Sequence, residues 1–319
     1  MNSIEERIFN SGVVPVIKIA EEKDAAPLAA ALGAGGLDVL EITFRTEAAE
    51  AAIRNVAKSH PDMLLGAGTV SNVETVKKAL DAGASFIVSP GFNPSVVDYC
   101  VKNSVYVVPG VGGATDIEAA LSYGLKTVKF FPAEANGGVK ALKAISAPYG
   151  DVRFMPTGGI DASNLASYLS FDKVIACGGS WIAKEDLIKA NNFTEITRLA
   201  REAVALIHGF SFAHLGINSE DEGLAGEFAD AFTDLFFVKQ RDIGVSIFIT
   251  DFIEVMKKPG FGRFGHIGIN TLNVKRAIAY FEKRGVALDY DTLRLKNGEP
   301  SFIYLKEPVG AFMVHLKSY

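Results

Sequence analysis

Short β-like runs recur along the first two thirds of the chain, and this alternation limits the possible folds more than any other feature. The runs lie at residues 13–19, 37–44, 63–69, 85–90, 105–110, 127–132, 152–159 and 173–179. Between them lie Ala-, Glu- and Lys-rich segments with helical periodicity, such as 47–60 and 72–83. Eight strand–helix units in succession predict an α/β fold, and favour a (β/α)8 TIM barrel over an open doubly wound sheet. Residues 193–209 would form its last helix.

The pattern changes after Gly209. The segments "FAHLGIN" (212–218) and "FGHIGIN" (264–270) are near-copies, and each precedes a helical stretch and further strand-like runs. Two such copies predict two similar half-domains. We therefore assign residues 1–209 to the barrel and residues 210–319 to a smaller α+β domain of two β-α-β-β-β repeats.

Composition excludes several classes of function. The net charge is −5 and no cluster of Lys and Arg indicates a nucleic-acid partner. No apolar run approaches the roughly 20 residues that span a bilayer. Two cysteines, Cys100 and Cys177, are too few for a disulfide framework, which favours a cytoplasmic location. The first ten residues, with Ser3 and Glu6 spaced as a capping box, predict a surface helix rather than a signal peptide.

Lys129 lies within an apolar run, "TVKFFPAE" (127–134). Side chains alternate along a strand, so Lys129 and Phe131 share one face. A buried ammonium group is costly unless it is paired or neutral, so we expect Lys129 to point into the barrel rather than under a helix. The same alternation in "LEITFR" places Glu41 and Arg45 on one face, towards the carboxyl end of their strand, where barrels hold their active sites.

A neutral lysine can form a Schiff base with a ketone, and the imine then accepts the electron pair released by carbon–carbon cleavage. Apolar walls from Phe131 and Pro132, together with the Arg45 cation, favour the neutral amine. Glu41 is the candidate general base. The alternative is a structural Lys129–Glu41 ion pair, although such buried pairs contribute little to stability.

Glycine pairs end the seventh and eighth runs, in "PTGGI" (156–160) and "CGGSW" (177–181). Barrels often bind a phosphate at these two loops through backbone N–H groups and a helix N-terminus. The candidate phosphate-binding residues are Thr157, Gly158, Gly159, Gly178, Gly179 and Ser180. A single glycine pair more commonly marks an ordinary turn.

Seven motifs stand in the order of a known family: "VVPVI", "EITFRT", "GAGTV", "SPG", "KFFPAEANGG", "PTGGI" and "GGSW". Over about residues 1–207 the chain resembles the 2-keto-3-deoxy-6-phosphogluconate (KDPG) and 4-hydroxy-2-oxoglutarate (KHG) aldolases, which are class I (Schiff-base) enzymes. The resemblance implies a homotrimeric barrel and a lyase of the Entner-Doudoroff pathway. It implies cleavage of KDPG to pyruvate and glyceraldehyde 3-phosphate, and of KHG to pyruvate and glyoxylate, with no metal cofactor.

The resemblance also implies a role for each site residue. Lys129 would form the imine, and Glu41 would move protons through a bound water. Arg45 and Thr69 would hold the carboxylate at the pyruvate end, with Pro90 and Phe131 shaping the pocket. The backbone and hydroxyl groups of Gly158, Gly159, Gly179 and Ser180 would bind the distal phosphate.

The second domain resembles the glyoxalase/bleomycin-resistance (vicinal oxygen chelate) superfamily. The resemblance implies metal ligands at His214, Glu254, His266 and His315, a set that suits Zn²⁺, Fe²⁺ or Mn²⁺. Three readings stay open: a binding or oligomerisation module, a separate metal-dependent activity on a keto acid, or histidines that are half-buried strand residues. His60 and His208 are predicted to be capping or surface residues at helix ends.

Overall fold

The computed structural model describes residues 3–319. The chain forms two compact units, of which the first ends at Ile207 and the second spans His208–Tyr319. We refer to them as the first unit and the second unit. Helix α1 begins at Ser3, and the capping contact predicted for the Ser3 side chain lies outside the described residues.

Strands and helices alternate along the first unit. The strands are β1 (Val13–Ile17), β2 (Val39–Thr43), β3 (Leu64–Gly68), β4 (Phe86–Val88), β5 (Tyr106–Val108), β6 (Gly110–Val111), β7 (Thr127–Phe130), β8 (Arg153–Phe154) and β9 (Cys177–Gly179). The helices are α1 (Ser3–Ser11), α2 (Ala25–Ala34), α3 (Ala49–Ser59), α4 (Val73–Asp81), α5 (Pro94–Lys102), α6 (Ala114–Ser122), α7 (Gly138–Ser146), α8 (Leu165–Leu169), α9 (Glu185–Lys189) and α10 (Phe193–His208). Each of the eight predicted runs contains at least one strand.

The strands of the first unit pair in parallel. One sheet has the order β5-β4-β3-β2-β1-β9, and a second has the order β6-β7-β8. Parallel bridges from Phe154 to Val174 and from Thr157 to Gly178 connect the seventh run to the eighth. The first unit is therefore an α/β fold built on a curled parallel sheet, in agreement with the predicted class.

The two faces of these strands bury different residues, as the alternation predicts. Leu40, Ile42, Val128 and Phe130 belong to the larger apolar core. Val39, on the opposite face of β2, belongs to a smaller apolar cluster together with α1 residues and inward side chains of other strands. Parallel strands covered on both faces need apolar residues at almost every position, so a charged side chain inside this sheet is conspicuous.

The second unit repeats one order of elements twice. Its first half contains β10 (Ser211–Asn218), α11 (Glu222–Phe236), β11 (Gln240–Asp242), β12 (Ser246–Ile249) and β13 (Ile253–Met256). Its second half contains β14 (Gly265–Thr271), α12 (Val274–Lys283), β15 (Leu288–Lys296), β16 (Glu299–Leu305) and β17 (Phe312–Ser318). One sheet joins both halves in the order β11-β12-β13-β10-β14-β17-β16-β15. The first strands of the two halves, β10 and β14, pair antiparallel at its centre.

Within residues 3–319, no helix combines the length and the apolar character needed to cross a membrane.

His208 differs from its predicted surface position. Its side chain is only 3% exposed, and its ring packs against those of Phe210 and Tyr280, with centroids 5.0 and 4.3 Å away. Burial, aided by the nearby Arg276 charge, lowers the pKa of His208 to about 3. The prediction was wrong because a helix end is exposed only when nothing packs on it, and here Phe210, just before β10, and Tyr280 on α12 cover it.

Burial of a neutral His208 predicts that acid destabilises the second unit. The unfolded chain binds a proton near pH 6.5 and the folded chain only near pH 3, so this stability is present above pH 6.5 and is lost as the pH falls. Between pH 7 and pH 5 the wild type should lose about 2 kcal/mol more free energy of unfolding than His208→Phe. Urea unfolding followed by circular dichroism measures this, with His60→Phe as the control. Equal losses in wild type and His208→Phe would contradict it.

Candidate active site and metal centre

Lys129 and Glu41 face each other inside the first unit. Lys129 lies on β7 and Glu41 on β2, and their side chains are 6% and 0% exposed. The Lys129 Nζ atom is 3.5 Å from Glu41 Oε1, and within residues 3–319 neither Glu41 carboxylate oxygen accepts a hydrogen bond. An unbonded buried carboxylate is costly, and it is also able to take a proton from a bound molecule.

Glycines on β3 make room for this carboxylate. Gly66 lies directly opposite Glu41, and Gly68 lies opposite Thr43. A Cβ atom on Gly68 would overlap the Glu41 carboxylate, and one on Gly66 would overlap the Phe86 ring. The two glycines of "GAGT" are therefore required by the Phe86 and Glu41 side chains that they face.

A cavity of about 430 Å³ lies at the carboxyl ends of the strands. Its wall includes the predicted site residues Arg45, Phe131, Thr157, Gly158, Gly159, Gly178 and Ser180. Thr43 also lines it. Thr43 follows Glu41 by two residues and Phe131 follows Lys129 by two residues, so each shares a strand face with the residue it follows. The amine and the carboxylate therefore lie one step below the cavity, with Lys129 Nζ 5.3 Å from the centre of the Phe131 ring.

Arg45 and Thr69, which are predicted to hold the same carboxylate, are in direct contact. The Arg45 Nε–H donates a hydrogen bond of 3.1 Å to Thr69 Oγ1. Thr69 follows β3 with φ of 58°, a left-handed conformation that β-branched residues rarely adopt. Such conformations cost of order 1–3 kcal/mol and concentrate at functional sites. The contact directs the exposed Arg45 guanidinium along the cavity wall.

The two glycine pairs are explained by different structural requirements. Gly158 and Gly159 have φ of 99° and 79°, which favour glycine. Gly178 leaves space for the Thr157 side chain, and Gly179 for the Trp181 ring. Within residues 3–319 the cavity wall does not include Gly179, which instead packs beneath Trp181.

Pro90 also lies outside the described cavity wall. It follows β4 on the surface, and its carbonyl packs so closely on Gly110 that a Cβ there would overlap it. Two cations that sequence reasoning missed do line the cavity: Lys18, which forms an ion pair of 3.1 Å with Glu185, and Lys184. Their position just beyond β1 and β9 was the available signal, because residues that follow parallel strands meet at one edge.

Comparison with known proteins identifies the first unit. The KDPG and KHG aldolase family model matches residues 4–199. The 2-dehydro-3-deoxy-phosphogluconate aldolase of Treponema pallidum is 45% identical over 207 residues, covering 65% of this chain and 99% of its own. The KHG/KDPG aldolase of Escherichia coli K12 is 46% identical over 200 residues, covering 62% of this chain and 94% of its own. The chain belongs to the KDPG and KHG aldolase family. Its first unit is thus a class I aldolase.

A solved structure extends this similarity to the fold. The KDPG aldolase of Legionella pneumophila, with pyruvate captured as a covalent carbinolamine intermediate, aligns with a TM-score of 0.61 at 41% identity. The alignment covers 63% of this chain and 97% of that one. Its length corresponds to the aldolase unit.

Three histidines and one glutamate converge in the second unit. The His214 Nε2 atom lies 3.1 Å from His266 Nε2, 3.2 Å from His315 Nε2 and 3.3 Å from Glu254 Oε2. The His266 Nε2 atom lies 3.2 Å from the same glutamate oxygen. Glu254 stands on β13, the last strand of the first half, and all four side chains are buried. The four residues predicted from the resemblance thus come together.

The repeated "H-x-G-I-N" segments explain how the histidines fit. A Cβ atom on Gly216 would overlap the His266 ring, and one on Gly268 would lie 2.7 Å from the His214 ring. In the sheet, Gly216 is opposite His266 and Gly268 is opposite His214. The glycine of each copy therefore makes room for the histidine of the other copy.

Burial and hydrogen bonding shift the pKa values of three of these side chains. Burial lowers the pKa of His315 to about 3 and also lowers that of His214, so both imidazoles are neutral at neutral pH. Burial acts to raise the pKa of Glu254, but hydrogen bonds with His266 and Ser246 outweigh it and the net change is downward. Neutral imidazoles and an ionised carboxylate are the forms that bind metals.

Replacing Gly68 tests whether the position of Glu41 controls turnover. In Gly68→Ala the added methyl group displaces the Glu41 carboxylate, so we expect kcat for KDPG cleavage to fall by at least about 100-fold, the size of a general-base contribution. Pyruvate release is measured in a coupled assay, and circular dichroism checks folding. Gly33→Ala, whose Cβ meets nothing within 4 Å, is the matched control. A folded Gly68→Ala variant with normal kcat would contradict this role.

Proposed function

We propose that the aldolase unit cleaves KDPG to pyruvate and glyceraldehyde 3-phosphate with Lys129 as the nucleophile. The Lys129 amine adds to the C2 ketone, and loss of water gives an iminium ion. Glu41 takes the C4 hydroxyl proton, the C3–C4 bond breaks, and its electron pair passes into the iminium to form an enamine. Protonation at C3 and hydrolysis then release pyruvate and regenerate the amine. The buried amine facing an unbonded carboxylate below an open cavity is the observation that carries this proposal.

The cavity wall carries groups that suit both substrates of the proposed reaction, KDPG and KHG. Arg45, held by Thr69, is placed to bind the carboxylate of a keto acid. The phosphate of KDPG would bind to the backbone of Gly158 and Gly159, the Ser180 hydroxyl and Lys184, which also line the cavity. With KHG the same amine and base would release pyruvate and glyoxylate, and the phosphate loops would be unused.

Three further expectations belong to this proposal. We infer that the eight strand runs close into a barrel, supported by the pairing of β9 with β1 and by the bridges between the seventh and eighth runs. Assembly as a homotrimer and a cytoplasmic location remain predictions, from the family resemblance and the cysteine content.

Lys129 should carry the covalent intermediate. Borohydride reduction in the presence of pyruvate should add one pyruvate-derived mass to the wild type at Lys129, located by peptide mass spectrometry. Lys129→Ala should lose this label and at least about 1,000-fold in kcat. Lys126→Ala removes an exposed lysine that pairs with Asp151, and should retain both.

Glu41→Gln separates proton transfer from imine formation in the same assay. We expect it to retain labelling while losing about 100-fold or more in kcat. Labelling of Lys129→Ala to the wild-type extent would refute the assignment of the nucleophile. Equal loss of labelling and turnover in Glu41→Gln would assign Glu41 a structural role instead.

As a second candidate function, we propose that His214, His266, His315 and Glu254 bind a divalent metal ion. Ligand atoms 2.0–2.1 Å from a divalent metal ion lie about 3.3 Å apart in a tetrahedral site and about 2.9 Å apart at neighbouring positions of an octahedral one. The four separations of 3.1 to 3.3 Å among these atoms are close to both values, and an octahedral site would leave two positions for the oxygens of a bound molecule. The Ser246 hydroxyl donates a hydrogen bond of 2.6 Å to Glu254 Oε1 and leaves Oε2 directed at the histidines, which is how outer partners orient metal ligands. A bound metal would act as a Lewis acid on an oxygen ligand.

The Gly216 position tests the metal centre without removing a ligand. Gly216→Ala should displace the His266 ring, so we expect at least about tenfold weaker binding of Zn²⁺, the size of an outer-partner effect. Metal content by mass spectrometry and calorimetric titration of the full chain measure this. Gly226→Ala, on α11 with nothing within 4 Å of its Cβ, is the matched control. A metal-free wild type that takes up no Zn²⁺ would favour the binding or oligomerisation role for this unit.

A further inference from the structure

Two arginines flank the histidine cluster of the second unit, one from each half. The Arg241 guanidinium lies over the Phe248 ring, 5.6 Å from its centre, and that ring contacts His214. The Arg294 guanidinium lies over the Phe302 ring at 4.7 Å, and that ring contacts His315. On each side of the cluster, an arginine therefore contacts a phenylalanine ring, and that ring contacts a histidine of the cluster.

Sheet register places both pairs on the ligand face. Directly opposed residues on neighbouring strands point to the same side of a sheet. Arg241 is opposite Phe248, which is opposite Glu254. Arg294 is opposite Phe302, which is opposite Lys317, two residues after His315. We call this side of the sheet, defined by Arg241, Arg294, Lys317 and the four candidate ligands, the arginine-flanked face.

Positive charge on this face exceeds negative charge. Among residues 3–319, Arg241, Arg294 and Lys317 form no ion pair, whereas the neighbouring Lys257 binds both Glu222 and Asp242. The opposing carboxylates are Glu254, already bonded to Ser246 and His266, and Asp289, which lies opposite Tyr304 and accepts the Asp291 N–H. A divalent cation among the histidines would increase the excess of positive charge.

We propose that the arginine-flanked face binds a small 2-oxo acid that carries a second anionic group, either carboxylate or phosphate. This inference rests on the metal centre proposed above. The oxo and carboxylate oxygens at one end would bind the metal, and the second anionic group would accept hydrogen bonds from a flanking guanidinium, which suits both groups by its geometry. The rings of Phe248 and Phe302 provide apolar walls between the two ends.

This class of molecule is also the substrate class of the aldolase unit. KHG is a 2-oxo acid with a distal carboxylate, and KDPG is a 2-oxo acid with a distal phosphate. The second unit would thus bind molecules chemically related to those that the first unit cleaves.

A cobalt titration tests the ligand class. The full chain carrying Lys129→Ala, which cannot form an imine, is loaded with Co²⁺, and the visible absorption of the metal reports ligand binding. The probes are 2-oxoglutarate and 2-oxovalerate, which share the 2-oxo acid end and chain length but differ in the distal carboxylate. We expect 2-oxoglutarate to bind at least about tenfold more tightly, the effect of one charge-assisted contact.

Arginine substitutions then test whether Arg241 and Arg294 cause the preference for 2-oxoglutarate. In the double variant Arg241→Gln with Arg294→Gln, the two affinities should become equal within about threefold. Arg263→Gln removes an arginine that also lies over an aromatic ring, Phe264, and should keep the preference. A parallel titration with 3-phosphohydroxypyruvate shows whether phosphate or carboxylate is the better second group.

Failure of the two proposals gives different results. If Co²⁺ produces no absorption that depends on His214 and His266, the metal centre and this inference both fall. If Co²⁺ binds and the two oxo acids have equal affinity, or the double variant keeps the preference, the ligand inference alone is wrong.

Discussion

The buried contact between Lys129 and Glu41 determines much of the structure around it. Placing two ionisable groups inside a parallel sheet costs several kcal/mol in desolvation, which their attraction only partly returns. Neighbouring strands adapt to this pair: β3 has glycines at its inward positions, and apolar side chains fill the space deeper in the unit. Since the Glu41 oxygens accept no hydrogen bond among the described residues, the arrangement contributes little to stability, and the catalytic role proposed for the pair would account for it.

Both units use glycine to make room for a buried polar side chain. Gly68 accommodates the Glu41 carboxylate in the first unit, and Gly216 accommodates the His266 ring in the second. In each case the glycine lies on the strand next to the side chain that it accommodates, with no need for a turn. Glycines inside strands weaken a sheet, so their presence at these positions indicates a close approach that no larger residue permits.

Much of this architecture follows from sequence alone because it depends on local periodicity. Alternation predicted the opposite faces of β2 and β7, and the duplicated segment predicted the two halves of the second unit. Other features depend on contacts distant in sequence. The burial of His208 needs Tyr280 from α12, and the space for the Thr157 side chain needs Gly178 from the next strand run. No single-sequence pattern encodes these contacts.

The interlocking of Gly216 with His266, and of Gly268 with His214, makes the two copies of the repeat dependent on each other. Each half supplies two of the four donor groups, so neither half alone could enclose a cation. A mutation in one copy would damage the ligand of the other, and an ion bound between them would draw both halves into one cooperative folding event. Duplication in this unit thus yields a centre that is shared by the two copies and belongs to neither.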